Sequence, residues 1–519
     1  MTEFDRPRPV ITDIMAHHAV WRPDKTAFVC GERRVSWRDF MAGVNRVANA
    51  LIGLGIEKGD KVSVLSPNSV EDAEIIFGAI RAGAVIVPLS GLVAPDGLHM
   101  MIDDSDSRVL FVAAELADRV RPFVDRLDKL VPGGRIAIGF EAPGWTPYET
   151  FAGGAPAADP EVALTFDDDC LLIYSSGTTG TPKGIVHHHF ARHQLAHGLG
   201  LRFHIDGQAV VVLTTPMYTN GTWVTMLPAL VFGGTVVAMP KFDPRAFLEI
   251  VARERGTHVF MVPTQFIVTL AEPGFDDYDL GSLKAVISIG SPLRLDTKRE
   301  VIDRFGCDFY ELYGLTEGVG TTIGPGEIET KFGSVGRPYA GQDMRIIDND
   351  GNELPRGEVG EIVGYGAGLM RGYYKKPDKT EEAIWRDERG RTFLRTGDIG
   401  RFDEDGYLYL LDRKKDMIIS GGINVFPADI EGVVGRHPAV RDVAVIGIPH
   451  AKWGETPVAL VIPEPGATAT PDEIGEWANA RLGKHQRVAF VEFRDDFPRN
   501  AMGKVLKREL RAPYWKNPG

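Results

Sequence analysis

Short apolar runs alternate with helix-like patterns along most of the chain. Lys61–Leu65, Val85–Leu89 and Val109–Val112 are brief and rich in β-branched residues, which predicts buried strands. Between the first two, Val70–Arg81 repeats its apolar positions at helical spacing and predicts an amphipathic helix. That strand–helix–strand rhythm predicts α/β layers with parallel strands, and it recurs through Val210–Thr214, Thr235–Met239, Val259–Val262 and Ala285–Ile289. Around Gly341 the texture changes. Met344–Ile347, Gly360–Val363 and Tyr407–Leu411 predict strands punctuated by the turn signals Asn349-Asp350-Gly351 and Asp405-Gly406, hence a more antiparallel segment. Past Asp412 strands and helices alternate again, ending in the basic stretch Lys504–Arg511. The expected fold class is α/β: a large multi-layered N-terminal domain (1–412) with parallel sheets and a smaller β segment, then a small α+β C-terminal domain (413–519).

Composition narrows the functions. The 519 residues are 44% hydrophobic and 25% charged, enough for more than one buried core. A net charge of −13 argues against general DNA or RNA binding, which needs a basic footprint. An anionic substrate would have to be held by local cations and backbone N–H groups. Cys30, Cys170 and Cys307 are odd in number and far apart, which fits a reduced compartment rather than a disulfide framework. The N-terminus is charged and shows no signal-peptide pattern, and the longest apolar stretch, Val224–Met239, is too short to span a bilayer. A cytoplasmic protein without stable membrane insertion is expected; the oligomeric state stays open.

The segment Tyr174–Gly184, YSSGTTGTPKG, follows a predicted strand, Cys170–Tyr174. Five hydroxyls, three glycines and Lys183 within eleven residues suit a polyphosphate: glycine lets the backbone approach, hydroxyls and N–H groups donate, and lysine adds charge. It is not a Walker A loop, because its glycines are wrongly spaced and Gly184 follows Lys183 where Ser or Thr is required. His187-His188-His189 is an unlikely metal tract, since consecutive side chains cannot easily share one ion. Gly364–Gly368 lacks the strand–helix context of a dinucleotide fingerprint. Cys307 has no matching histidine motif and reads as packing.

SSGTTGTPKG resembles the phosphate loop of the adenylate-forming (AMP-binding) superfamily, which includes acyl-CoA synthetases, aryl-CoA ligases, luciferases and the adenylation domains of peptide synthetases. Further matches follow in the family's order: Tyr313–Glu317 (YGLTE), Gly360–Tyr373, Arg395–Asp398 (RTGD), Asp412–Pro427 (DRKKDMIISGGINVFP) and Pro498–Lys504 (PRNAMGK). They cover nearly the whole chain.

The resemblance implies a carboxylate–CoA ligase using ATP, Mg2+ and coenzyme A. Carboxylate and ATP would give acyl-AMP and pyrophosphate, and CoA would then displace AMP. It implies that Ser175, Ser176, Gly177, Thr178, Thr179, Gly180 and Lys183 hold phosphates. Gly290, Ser291 and Pro292 would cover one adenine face, and Glu311, Leu312, Tyr313, Gly314 and Thr316 would lie along the adenine and α-phosphate. Glu317, with Thr178, would hold magnesium, which needs only one or two carboxylates when phosphates supply the rest. Asp398 would bind the ribose hydroxyls, Arg413 would reach the ribose or phosphate, and Lys504 would stabilise the adenylation transition state. Gly421 and Gly422 would let the pantetheine arm pass. Lys415 would be the pivot of a mobile C-terminal domain.

His189, Tyr218, Thr219, Asn220 and Trp223 are the expected acyl pocket. Here Thr219 stands where relatives often carry a histidine, and Asn220 could read a polar group on the acid. The acid itself, fatty, aromatic or alicyclic, is left open. The resemblance further suggests a lysine acetyltransferase acting on Lys504 as a partner. The alternatives are acyl transfer to a separate carrier protein and, in a different class, a nucleotide-binding regulator without catalysis.

Overall fold

The computed structural model describes residues 8–175, 182–291, 293–421, 423–499 and 504–516. Ser176, Gly177, Thr178, Thr179, Gly180, Pro292 and Gly422 lie outside the described residues. The chain divides into two compact units. One comprises Met1–Phe332, Pro338–Asp343 and Tyr365–Ile384, the other Gly333–Arg337, Met344–Gly364 and Trp385–Gly519.

The first unit is built on two sheets. The sheet that carries the phosphate loop runs, in spatial order, through Gly372–Tyr373, Lys183–His188, Asp169–Ser175, Val85–Pro88, Lys61–Leu65, Ser107–Ala113, Arg135–Ile138 and Thr146–Pro147. It is parallel from Asp169–Ser175 to its far edge and antiparallel on the loop side. In the second sheet, Asp308–Gly314, Ala285–Ser288, His258–Met261, Val210–Leu213, Thr235–Ala238 and Thr26–Cys30 pair in parallel. Gly320–Ile323 then folds back antiparallel onto Asp308–Gly314. The predicted strands therefore form, with ends displaced by one or two residues.

The helix Val70–Arg81 has the predicted limits, and its start has a local cause. Ser69 accepts the Asp72 N–H at 3.0 Å, and Glu71 and Asp72 place negative charge in the first turn. It is not half exposed as an amphipathic pattern implies, because every residue except Glu71 is buried. Two of its polar side chains find partners: Arg81 pairs with Asp159 at 2.6 Å, and Tyr148 donates to Glu74 at 2.6 Å. A partnered polar face is thus compatible with a two-sided interior position.

In the second unit, Gly360–Gly366, Thr392–Phe402 and Leu408–Arg413 form the expected antiparallel ladder. The C-terminal segment is a long hairpin, Val440–His450 with Gly454–Pro463, flanked by the helices Pro427–Val434, Pro471–Asn479 and Lys507–Lys516. Its two faces bury separate cores. Val445, Val461, Ile430, Val434 and Ile474 fill one, and Ile446, Val458, Leu460, Phe497 and Leu510 fill the other. Among the described residues no helix is long and apolar enough to cross a membrane.

Candidate active site

The phosphate-loop lysine is positioned by strand geometry. Asp169–Ser175 enters the loop and Lys183–His188 leaves it, paired antiparallel with Ser175 opposite Lys183. Tyr174 fixes the entry by donating to Asp104 at 2.7 Å. A segment almost two hundred residues later clamps the exit. Gly372 and Tyr373 pair with Val186 and Ile185, the Tyr374 N–H donates to the Gly184 carbonyl at 2.8 Å, and Lys376 Nζ reaches the Pro182 carbonyl at 3.2 Å.

Thr316 and Glu317 occupy the tip of the hairpin between Asp308–Gly314 and Gly320–Ile323. The turn is closed by the Gly318 N–H to the Leu315 carbonyl at 3.0 Å and the Leu315 N–H to the Val319 carbonyl at 3.1 Å. The same clamp segment holds this tip. The Met370 N–H donates to the Glu317 carbonyl at 2.8 Å, and the Tyr373 hydroxyl donates to Glu317 Oε1 at 2.9 Å. Lys183 Nζ lies over the Tyr373 ring, 4.7 Å from its centre. Burial first, then the Glu317 charge, pushes the Tyr373 phenol well above its ordinary value, so it remains a donor. Lys183, Tyr373 and Glu317 are thus one connected group. Tyr373 ends the Gly360–Tyr373 match, but the resemblance gave it no role.

The other residues of the YGLTE strand divide by side. The Glu311 carboxylate is taken by Lys298 at 2.5 Å in a buried pair, and Lys298 also donates to the Phe332 carbonyl at 3.1 Å. The Glu311 side chain is therefore held inside the fold, while Tyr313 and Gly314 are partly or fully exposed. Gly290 has φ +103°, a left-handed conformation that favours glycine, at the turn after Ala285–Ser288; Ser291 follows it.

The expected acyl-pocket residues lie on two packed helices and on the turn that precedes the second. His189 opens His189–Phe203, where His188 caps the helix by accepting the Ala191 N–H at 3.0 Å. His189 is buried, and that burial lowers its pKa to about 4. Asn220 opens Asn220–Phe232. Thr219 bonds to the Pro216 carbonyl at 2.9 Å, Trp223 Nε1 donates to the Met217 carbonyl at 2.7 Å, and Tyr218 is half-buried. Asn220 Oδ1 accepts from Arg192 at 2.7 Å.

The second unit gathers the remaining predicted residues. Asp398 and Arg413 face each other across adjacent strands, with Arg413 Nε 3.2 Å from Asp398 Oδ1. Lys504, more than ninety residues later in the chain, lies in the field of both. Its ammonium is pushed down to about 8, mainly by burial and then by Arg413, while Asp398 and Asp416 oppose the shift. Next to this group Glu361 accepts from Arg395 at 2.7 Å and Lys414 at 3.1 Å, a bridge that no motif announced. Burial raises the Glu361 pKa, but those two hydrogen bonds outweigh it and hold the carboxyl below its ordinary value. Lys415 is half-buried, pushed down to about 8 by burial, and its carbonyl accepts from Arg511 at 3.2 Å. Gly421 has φ +62°, and a Cβ there would meet Trp453 at 2.9 Å, so both conformation and space require glycine.

Comparison with known proteins agrees with this geometry. The AMP-binding enzyme model matches residues 15–374, and the AMP-binding enzyme C-terminal domain matches residues 429–504. The chain belongs to the AMP-binding enzyme family. It is 34% identical over 496 residues to a feruloyl-CoA synthase of Amycolatopsis sp., covering 95% of this chain and 96% of that protein. It is 33% identical to the fatty acid–[acyl-carrier-protein] ligase ScoC of Streptomyces coeruleorubidus, covering 96% and 95%. Among solved structures, ATP-bound MatB from Rhodopseudomonas palustris aligns with a TM-score of 0.86 at 30% identity, covering 98% of this chain and 99% of that one. These likenesses carry the large N-terminal and small C-terminal α/β arrangement. A lysine acetyltransferase as a partner of Lys504 is not borne out by them.

Proposed function

We propose that the chain is an ATP-dependent, AMP-forming carboxylate–CoA ligase. A carboxylate oxygen attacks the α-phosphorus of ATP, the bond from that phosphorus to the pyrophosphate oxygen breaks, and acyl-AMP forms. The thiolate of CoA then attacks the acyl carbon, the bond from that carbon to the AMP oxygen breaks, and acyl-CoA and AMP leave.

The observation that carries this reading is the half-buried Lys504 in the electrostatic field of Asp398 and Arg413, residues with no sequence proximity to it. Asp398 has the two oxygens needed to accept from both ribose hydroxyls, and Arg413 sets its orientation. The Lys504 ammonium neutralises charge that grows on the α-phosphate as the carboxylate attacks. Lys183 binds phosphate from the loop.

Magnesium fits Glu317, because the ion takes hard oxygens and keeps phosphates and water as its other ligands. Bound there, it would neutralise phosphate charge. Tyr373 holds one Glu317 oxygen and the clamp holds its backbone, so the carboxylate is fixed beforehand. Thr178 is the proposed second partner of the ion.

His189, Tyr218, Thr219, Asn220 and Trp223 are taken to line the acyl side. We place the functional boundary at 412/413, with Lys415 as pivot and Gly421–Gly422 serving CoA in the second step. The relatives named as CoA synthases support CoA as acceptor, and the similarity to ScoC supports a carrier protein as the second reading.

The experiment is pyrophosphate release across a panel of carboxylic acids, with CoA, with a carrier protein, and with neither. Acid-dependent pyrophosphate release with a thioester formed only when CoA is present is expected. Thioester formed only on the carrier protein would favour the second reading, and no pyrophosphate with any acid would leave only nucleotide binding.

A further inference from the structure

Arg192 lies in the interior of the helix His189–Phe203 and is 2% exposed. A buried guanidinium normally sits against a carboxylate, because an uncompensated charge away from water is costly. Among the described residues Arg192 has no carboxylate partner. The groups that share its field are the Cys170 thiol, the Tyr339 phenol and the His187 imidazole. Trp223 supplies an aromatic wall, its ring centre 5.9 Å from the guanidinium carbon. Among the described residues Arg192 makes one side-chain hydrogen bond, to Asn220 Oδ1 at 2.7 Å, and its buried Nε has no partner.

That bond has a consequence for Asn220. Arginine only donates, so it fixes the amide with Oδ1 toward Arg192 and the Nδ2 hydrogens turned the other way. Asn220 is half-buried at the first turn of its helix, and its Nδ2 makes no hydrogen bond among the described residues. His187 is fully buried in the field of Arg192, and the Thr316 backbone is the polar group beside its ring. Unsatisfied buried polar atoms are rare in folded proteins and each needs an explanation. Here the unpartnered Arg192 Nε and the buried His187 ring share one field, on the side of the Thr316 backbone.

We infer that Arg192 and Asn220 select an acid carrying a second oxygen acceptor remote from the reacting carboxylate, a second carboxylate being the best fit. This rests on the ligase reading and on the acyl side lying between these two helices. An acceptor group supplies the anion that the guanidinium lacks and receives the Asn220 amide hydrogens. A plain hydrocarbon acid leaves the guanidinium without a counter-anion and the Asn220 amide hydrogens without an acceptor, and sites built around hydrogen bonds discriminate strongly against analogues that lack the bonding group.

The test pairs straight-chain monocarboxylic acids of four to twelve carbons with the α,ω-dicarboxylic and ω-hydroxy acids of the same length, and benzoate with its hydroxylated forms. Each acid is measured two ways: as a shift in the unfolding midpoint of the full chain with ATP present, and as pyrophosphate release. The acceptor-bearing member of the preferred pair is expected to win by at least about tenfold in kcat/KM. In Arg192→Met that ratio falls toward one, with kcat/KM for the hydrocarbon acid rising. Asn220→Ala, at a half-buried position, shows the same collapse and covers the case in which the Arg192 variant does not fold. Hydrocarbon acids used as well as their acceptor-bearing partners at every length, or a preference unchanged in Asn220→Ala, would overturn the assignment. Acids that shift the midpoint with this discrimination but release no pyrophosphate would sink the ligase reading and leave this one standing.

Discussion

At the scale of single residues the account turns on two charges held ready by their neighbours. A lysine whose native pKa is lowered from 10.5 to about 8 disfavours the folded state while it is charged. That cost is complete below about pH 8 and is relieved as pH rises toward 10.5, so this group makes stability increase with pH across that window. Activity should move the other way if Lys504 has the proposed role, because the ammonium is then what stabilises adenylation. The kcat/KM for pyrophosphate release should fall above about pH 8, and the limb assigned to Lys504 should be missing in Lys504→Ala. The same variant should lose on the order of 10²–10³-fold in adenylation, while thioester formation from supplied acyl-AMP and CoA stays near normal. Equal losses in both half-reactions would contradict a role confined to the first. For Glu317, Tyr373→Phe removes one hydrogen bond and keeps the ring beneath Lys183. Calorimetric titration of magnesium into the ATP-bound variant should show affinity weakened by about tenfold, and Glu317→Gln should weaken it further. In the Glu317→Gln background the tyrosine change should add little. The motif residues Lys183, Glu317, Asp398 and Lys504 were legible because unusual residue types recur in a fixed order. Tyr373 and Arg192 were not, because a tyrosine near a strand end and an arginine on a helix have many ordinary explanations. Only the groups that surround them give them meaning.

At the scale of elements, the clamp Gly366–Tyr374 ties the phosphate-loop exit strand to the hairpin tip that carries Glu317. It runs so close to that tip that a Cβ on Gly318, where φ is +106°, would fall 1.9 Å from the Gly368 carbonyl oxygen. Gly318→Ala should therefore cost at least about 1–3 kcal/mol in strain, measurable as a lowered midpoint in thermal or denaturant unfolding, and should impair magnesium-dependent ATP use. An unchanged midpoint with unchanged activity would show that the clamp can move aside freely. Sequence periodicity located the elements well, since strands such as Lys61–Leu65 and the helix Val70–Arg81 form with their predicted limits. It did not reveal how deeply the helix is buried. The polar positions Glu74 and Arg81 imitate a solvent face, yet their partners Tyr148 and Asp159 arrive from segments about seventy-five residues away. The clamp was invisible for the same reason: strand pairing between residues 185 and 373 leaves no local periodicity.

At the scale of the molecule, the account requires one chain to run two reactions with the same small C-terminal segment. Lys415 is the proposed pivot, and proline there fixes φ near about −65° and removes an N–H. Lys415→Pro should separate the half-reactions in stopped assays, retaining the one whose arrangement it fits and stalling the other; equal retention of both would argue against a pivot at this residue. The central claim is that the carboxylate attacks the α-phosphorus of ATP and that CoA then displaces AMP from the acyl carbon. An accepted acid labelled with ¹⁸O in its carboxylate tests this most directly. In a complete reaction with ATP and CoA, mass spectrometry should find one ¹⁸O in the phosphate of AMP and none in pyrophosphate. Label in inorganic phosphate with ADP as the nucleotide product, or AMP without label, would contradict the account.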